Sequence, residues 1–238
     1  MKQTAITPEI TQLTRLAFVN AYLVAESDGV TLVDTMLPGS AKSIIGAVRG
    51  LGRPVQRILL THAHGDHVGS VDALARTLPG VEIAIGRRES RLLARDFSLD
   101  ADEPKDRLGG MFPKIASRPS VLLAEGDCSG SLIAIATPGH TPGHLAFLDE
   151  RSGTLIAGDA LVSVGGLRVV SDASWVFSLA KWATWHAPTA LASACKLAAL
   201  APKNIVMGHG RPVVENAAQQ LRDAVRHAEQ SSSSASAA

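Results

Sequence analysis

Apolar positions fall along the chain in two kinds of run, and their spacing predicts most of the secondary structure. Apolar stretches of strand length, continuous or alternating, cover residues 17–24, 30–33, 58–60 and 81–85. Successive side chains in a strand point to opposite faces, so a run that is apolar throughout predicts a strand buried on both. Between these runs lie segments with apolar residues three and four apart. Residues 40–51 carry this helical spacing, with Ser40 as N-cap and Gly52 as stop; residues 66–78 carry it as far as Pro79-Gly80. The order is strand, helix, strand, helix, strand.

A second set of strand candidates follows at 120–123, 131–136, 145–148, 154–157 and 204–207. This succession of strands and helices predicts layered α/β packing. Between the two sets, residues 87–118 are charged, hold Pro104, Gly109-Gly110 and Pro113, and read as short helices and loops of the kind that covers a site. Residues 175–200 are Ala-rich with helical spacing interrupted at Pro188, which predicts two helices, and residues 215–229 form a final amphipathic helix. No fixed-period repeat is present. The expectation is a single domain over residues 1–228, then a disordered Ser/Ala-rich tail, 229–238, with nothing to bury.

Composition narrows the classes of partner. Lys and Arg number 23 against 22 Asp and Glu, a net charge of +1, so no basic field predicts binding to nucleic acid or a membrane surface. The first residues lack an apolar run, being interrupted by Pro8, Glu9 and Arg15, which predicts no export signal, and no stretch is long enough to span a bilayer. Cys128 and Cys195 are too few for a disulfide framework and suit a reducing compartment, so the expectation is a cytoplasmic protein.

The chemistry is concentrated after the strand at 58–60, in Thr61-His62-Ala63-His64-Gly65-Asp66-His67. In extended backbone residues i and i+2 project to one side, so His62 and His64 can converge on one ion, while Asp66 and His67, at the next helix start, are directed differently and are free to serve a neighbouring one. Imidazoles crowded together without a metal repel when protonated and lose hydration when neutral. Three further segments end a strand in a ligand-capable residue: Thr137-Pro138-Gly139-His140, Ala157-Gly158-Asp159 and Met207-Gly208-His209. A structural zinc site is closed by four ligands, often Cys; this many His and Asp residues imply two ions with open positions.

His62-Ala63-His64-Gly65-Asp66-His67, followed in order by His140, Asp159 and His209, resembles the ligand set of the metallo-β-lactamase superfamily, and the resemblance extends over residues 20–212, with Val33-Asp34-Thr35 similar to an opening strand of that family. The resemblance implies an αββα sandwich: two mixed sheets with helices outside and the site at one edge. It assigns His62, His64 and His140 to one metal, Asp66, His67 and His209 to a second, and Asp159 to both, with Asp66 and Asp159 as catalytic residues. The implied cofactors are two divalent ions, zinc first, with iron or manganese also compatible with imidazole and carboxylate donors. The implied activity is hydrolysis of a small-molecule ester, lactone or thioester by a metal-bridging hydroxide. An iron-dependent persulfide dioxygenase-like activity, and phosphodiester or β-lactam hydrolysis, remain alternatives on the same ligands.

Departures from particular branches shape the substrate expectation. No Cys stands beside the second set of ligands, as it does in one group of β-lactamases. Residues 137–144 and Gly158-Asp159 are similar to glyoxalase-II-type thioesterases, yet few residues follow His209 to form their helical glutathione domain. Acyl-homoserine lactonases carry Tyr three residues beyond the bridging Asp, where this chain has Val162; the long RNA-gripping insertions of ribonuclease-like members are not evident. Trp175, Phe177, Trp182 and Trp185 are an aromatic concentration in an aromatic-poor chain, read either as substrate wall or as helix core. His186 is a further pocket candidate, and His144 is expected to hold a ligand by hydrogen bond rather than to be one. The expected partner is a small molecule, with no nucleic acid and no membrane; the oligomeric state stays open, a homodimer included.

Overall fold

Within the strand Val55–Leu60, Ile58 and Leu60 turn to one face and Leu59 to the other, and the two faces enter different cores. The same alternation runs through the neighbouring strands and decides the layering. The computed structural model describes residues 1–236. Its first part comprises β1 (Lys2–Ala5), β2 (Ile10–Arg15), β3 (Val19–Ala25), β4 (Val30–Val33), α1 (Ala41–Arg49), β5 (Val55–Leu60), α2 (Gly65–Val68), α3 (Val71–Thr77), β6 (Glu82–Gly86), α4 (Glu89–Leu93) and β7 (Val121–Leu123). The second comprises β8 (Cys128–Ser129), β9 (Leu132–Ala136), β10 (Leu145–Asp149), β11 (Thr154–Ile156), β12 (Leu161–Val162), β13 (Arg168–Val169), α5 (Ser178–Ala183), α6 (Ala187–Ala199), β14 (Asn204–Val206) and α7 (Ala217–Ser236).

Strands β1 to β7 form one sheet in sequence order, antiparallel as far as β4 and parallel from there on. The other large sheet has the order β14-β11-β10-β9-β8, antiparallel except for the parallel pair β11 and β14. Leu32, Ile58, Leu60, Ile83 and Ile85 pack outward against Ile44 and Val48 of α1 and Val71 and Leu74 of α3. Tyr22, Val24, Val33, Leu59 and Ala84 face inward and meet Ala134, Phe147, Ile156 and Val206 of the second sheet. That sheet's outer face, Ile135, Ala146, Leu155 and Ile205, lies under Ala194 and Leu197 of α6 and Leu221 and Val225 of α7. The layers are therefore helix, sheet, sheet, helix, the αββα sandwich anticipated from the sequence. A fully buried Leu, Ile or Phe contributes about 1.5–3 kcal/mol, in the middle layer between the sheets as in the two outer ones.

Several boundaries differ from the sequence reading. Strands β1 and β2 were not anticipated, because β1 is almost wholly exposed and β2 buries polar side chains: Gln12 and Thr14 both donate to Asn20 Oδ1, at 3.0 and 2.9 Å. The helix expected over 66–78 is split into α2 and α3, because Thr35 N donates to His67 O and Ser70 Oγ donates to Leu37 O, pinning the break to the β4–α1 connection. Ser40 stands at the N-cap of α1 but makes no capping bond; its hydroxyl donates to Leu37 O. Pro188 does not interrupt a helix. It lies in the first turn of α6, where its missing N–H has no helical partner to lose, and the break falls just before His186. The tail expected to be disordered from residue 229 instead continues α7 through Ser236, with Ser233 and Ser234 hydroxyls donating to carbonyls four residues back; residues 237 and 238 of that expectation lie outside the described residues. Among the described residues, no helix is long and apolar enough to cross a membrane.

One edge of the sandwich gathers the loops that matter. The C-terminal ends of β5, β11 and β14 lead into His62, Asp159 and His209, and the β9–β10 connection carries His140.

Candidate metal centre

Strand β5 is buried on both faces at Leu59 and Leu60, so the chain leaves it at a fixed place, and the extended residues that follow bring His62 and His64 together. His62 Nε2 lies 3.1 Å from His64 Nδ1, and His64 Nδ1 lies 3.0 Å from His140 Nε2. At the start of α2 the chain turns away and presents Asp66 and His67. Asp66 Oδ2 is 3.1 Å from His209 Nε2 and 3.9 Å from His67 Nε2. Asp159 lies between the two groups: one oxygen is 3.4 Å from His67 Nε2, the other 3.2 Å from His209 Nε2 and 3.6 Å from His140 Nε2. All seven side chains converge, in the sets His62, His64 and His140; His62, His67 and Asp159; and Asp66, His67 and His209, with the ligand atoms of each set within 4.8 Å of one another.

These residues fit divalent ions on two observations. Tetrahedral ligands about 2.0–2.1 Å from zinc stand roughly 3.3 Å apart, which is close to the separations just given. His67 Nε2 and Asp159 Oδ1 are buried with no hydrogen-bond partner, although each is aimed at the centre; orphaned buried polar atoms are costly and rare.

Residues 14–209 match the family model of the metallo-β-lactamase superfamily. The chain belongs to that superfamily. It is 50% identical over 211 residues to the uncharacterized protein YobT of Bacillus subtilis (strain 168), an alignment spanning 88% of this chain and 90% of that one. It is 29% identical to the probable metallo-hydrolase YflN of the same organism, over 85% of this chain and 82% of the relative. The fold is similar to that of DIM-1 metallo-β-lactamase, with a TM-score of 0.71 at 15% identity over 97% of each chain.

Surrounding groups in this metallo-β-lactamase fold aim the ligands. His144 Nε2 accepts from Asp159 N at 2.9 Å, which leaves its Nδ1 proton facing Thr137 Oγ1 at 2.8 Å; His144 therefore orients Asp159 and lies outside the three ligand sets. Asp34 was not recognised from the sequence as a site residue. It accepts from Thr61 N and Thr61 Oγ1, and from His67 Nδ1 at 2.8 Å, so that His67 Nε2 is turned inward. An acid ending the wholly buried strand β4 was the available signal, the same one that marks Asp159 after β11. Gly208 is required by close approach: a Cβ there would lie 2.1 Å from Asp159 Oδ1 and 2.5 Å from the His67 ring.

Electrostatics divides the cluster in two. Burial pushes His62 and His140 well below the usual imidazole range, His64 to about 4 and His144 to about 3, with neighbouring imidazoles adding to the effect at His62 and His140. Burial acts the same way on His209 and His67, yet Asp159 and nearby carboxylates outweigh it, lifting His209 to about 9 and His67 well above its usual range. Asp66 and Asp159 resist burial because those imidazoles hold both carboxyls well below the ordinary range.

The aromatic residues sort differently from the expectation. Phe177 touches the His209 ring at a 4.9 Å centroid separation and Phe18 at 5.6 Å from itself, and Phe18 also approaches His209. Phe112, from the segment between α4 and β7, lies 4.7 Å from the His64 ring, and Gly109 O lies 3.1 Å from His64 Nε2, so this insert does cover the site. Trp185 is buried, its backbone N donating to His140 O. His186 caps α6, accepting from Thr189 N. Trp175 and Trp182 are neither core nor enclosed wall: Trp175, in the short 3-10 turn Trp175–Phe177 that buries none of its residues, is 89% exposed, and Trp182 is 64% exposed because α5 turns Ala180 and Ala183 inward instead.

Proposed function

We propose that this protein is a dinuclear metal-dependent hydrolase of small-molecule esters, lactones or thioesters that carry an apolar substituent. The observation that supports this most is the pair of ligand sets, His62, His64 and His140 on one side and Asp66, His67 and His209 on the other, with Asp159 lying 3.6 Å from His140 and 3.2 Å from His209. His62, His64 and His140 would hold one ion and Asp66, His67 and His209 the other, with Asp159 common to both. Two divalent ions there, zinc suiting the donors best, would supply Lewis acidity toward the acyl oxygen and toward water.

The chain's own groups supply the rest. Asp66 is the ligand that reaches solvent, with its side chain 33% exposed against 4% for Asp159 and His209, which makes it the group placed to accept a hydrogen bond from an incoming water and so to orient it. Its carboxyl, held ionised by His67 and His209 despite burial, keeps that acceptor available at neutral pH. His67, aimed by Asp34, and Asp159, aimed by His144, cannot swing away as charge shifts during the reaction. Phe112 on the His64 side and Phe177 with Phe18 on the His209 side offer an apolar frame to the site. Similarity to a probable metallo-hydrolase supports the same reading.

A panel of lactone, thioester, carboxyl ester, phosphodiester and β-lactam substrates tests it, run on zinc-loaded protein beside Asp66→Ala. Turnover of acyl substrates should rise with apolar chain length, and Asp66→Ala should lose roughly 10²- to 10⁴-fold in kcat/KM. Activity indifferent to that substitution, or oxygen uptake by iron-loaded protein in place of hydrolysis, contradicts the proposal.

A further inference from the structure

We infer that Glu89 is a positioning residue for the metal centre, its buried carboxylate tying the loop that bears His62 and His64 to the turn that bears His140. Glu89 opens α4 and is fully buried. Oε1 accepts from Ala63 N at 2.8 Å, the peptide between the two histidines of the loop. Oε2 accepts from Thr141 Oγ1 at 2.8 Å and Gly143 N at 3.0 Å, on the residues just after His140. One carboxylate thus spans two segments that are remote in sequence and whose imidazole nitrogens must meet within hydrogen-bond distance.

The approach is tight by construction. A Cβ on Gly143 would lie 2.1 Å from Glu89 N, so the turn packs directly on the backbone that carries the carboxylate. The preceding Arg88 is gripped by Glu103, Nε to Oε1 at 2.6 Å and Nη2 to Oε2 at 2.9 Å, which fastens α4 to the insert whose Gly109 lies on His64. Burial lifts the Glu89 carboxyl to about 7, against the pull of its three donors, so its retention in an apolar interior calls for a role that those donors share. Removing it leaves three buried donors unpaired and lets the His64 and His140 segments relax independently.

This inference rests on the metal-binding reading, and the experiment separates the two. Zinc affinity by chelator competition and the visible spectrum of the cobalt-substituted protein are measured for wild type, Glu89→Ala, Glu89→Gln and Glu26→Ala. Glu26 is the control: it is also buried and accepts from Ser131 N, Ser131 Oγ and Thr31 Oγ1, but it touches none of the ligand loops. Glu89→Ala should weaken zinc binding about 10- to 100-fold and alter the cobalt spectrum, as loss of a group that orients ligands does, with Glu89→Gln between it and wild type. Glu26→Ala should lower only the melting temperature. Glu89→Ala that folds with wild-type affinity and spectrum overturns the inference. Should that variant not fold, Thr141→Val, which removes one donor, must still weaken binding, and unchanged affinity there overturns it equally. A wild-type chain that takes up no zinc removes the metal reading and this inference with it.

Discussion

Asp159→Ala should lose hydrolytic activity on the order of ten-thousandfold, the scale seen when one member of a tightly coupled catalytic unit is removed. The reason is positional. Asp159 is the side chain that lies within 3.6 Å of His140 on one side and within 3.2 Å of His209 on the other, so no neighbour can replace it between the two ligand sets. Its loss also removes the carboxylate that does most to raise the proton affinity of His67 and His209, leaving His67 paired with Asp34 and His209 with Asp66 alone. Metal content and kcat/KM should fall together, and Asp159→Asn, which keeps the volume and one ligand oxygen, should fall less. Activity within tenfold of wild type would show that the carboxylate does not join the two sites.

Stripping the ions should lower the melting temperature by roughly 8–16 °C, since a ligand at a thousandfold excess over its Kd stabilises by about 4 kcal/mol and each kcal/mol moves Tm about 2–4 °C at this chain length. The metal-free protein should also show a pH dependence set by the histidines of the cluster. His209, lifted to about 9, and His67 contribute stability that is full below the unfolded value of about 6.5 and lost as pH rises through about 9. His64, lowered to about 4, and His144, lowered to about 3, contribute stability present above about 6.5 and lost as pH falls through those values. The metal-free Tm should therefore peak near pH 6.5 and decline on both sides, as read by calorimetry across the range. A flat profile would mean that the cluster is not buried and coupled as described.

What the sequence disclosed, and what it hid, follows from where each residue finds its partner. His62, His64, Asp66 and His67 announced themselves because their spacing after an apolar strand is local, and His140, Asp159 and His209 because each ends a strand. The layering was legible for the same reason: the unbroken apolar run Ile58-Leu59-Leu60 marks locally a strand buried on both faces. Glu89 was hidden. It follows Arg87 and Arg88, a charged run that reads as surface, and its partners are Ala63, Thr141 and Gly143, which only the packing of α4 against both loops reveals. Strands β1 and β2 were hidden by polar inward positions whose hydrogen bonds are tertiary. Trp182 misled in the opposite direction, since large aromatics at helical spacing ordinarily pack inward, whereas α5 buries its alanines.

The most direct measurement is anomalous X-ray diffraction from crystals grown with zinc, recorded on both sides of the zinc absorption edge. Two peaks per chain should appear, one among His62, His64 and His140 and one among Asp66, His67 and His209, with Asp159 between them. No peak at these side chains, or zinc bound only elsewhere on the chain, would contradict the metal centre on which the hydrolase reading depends.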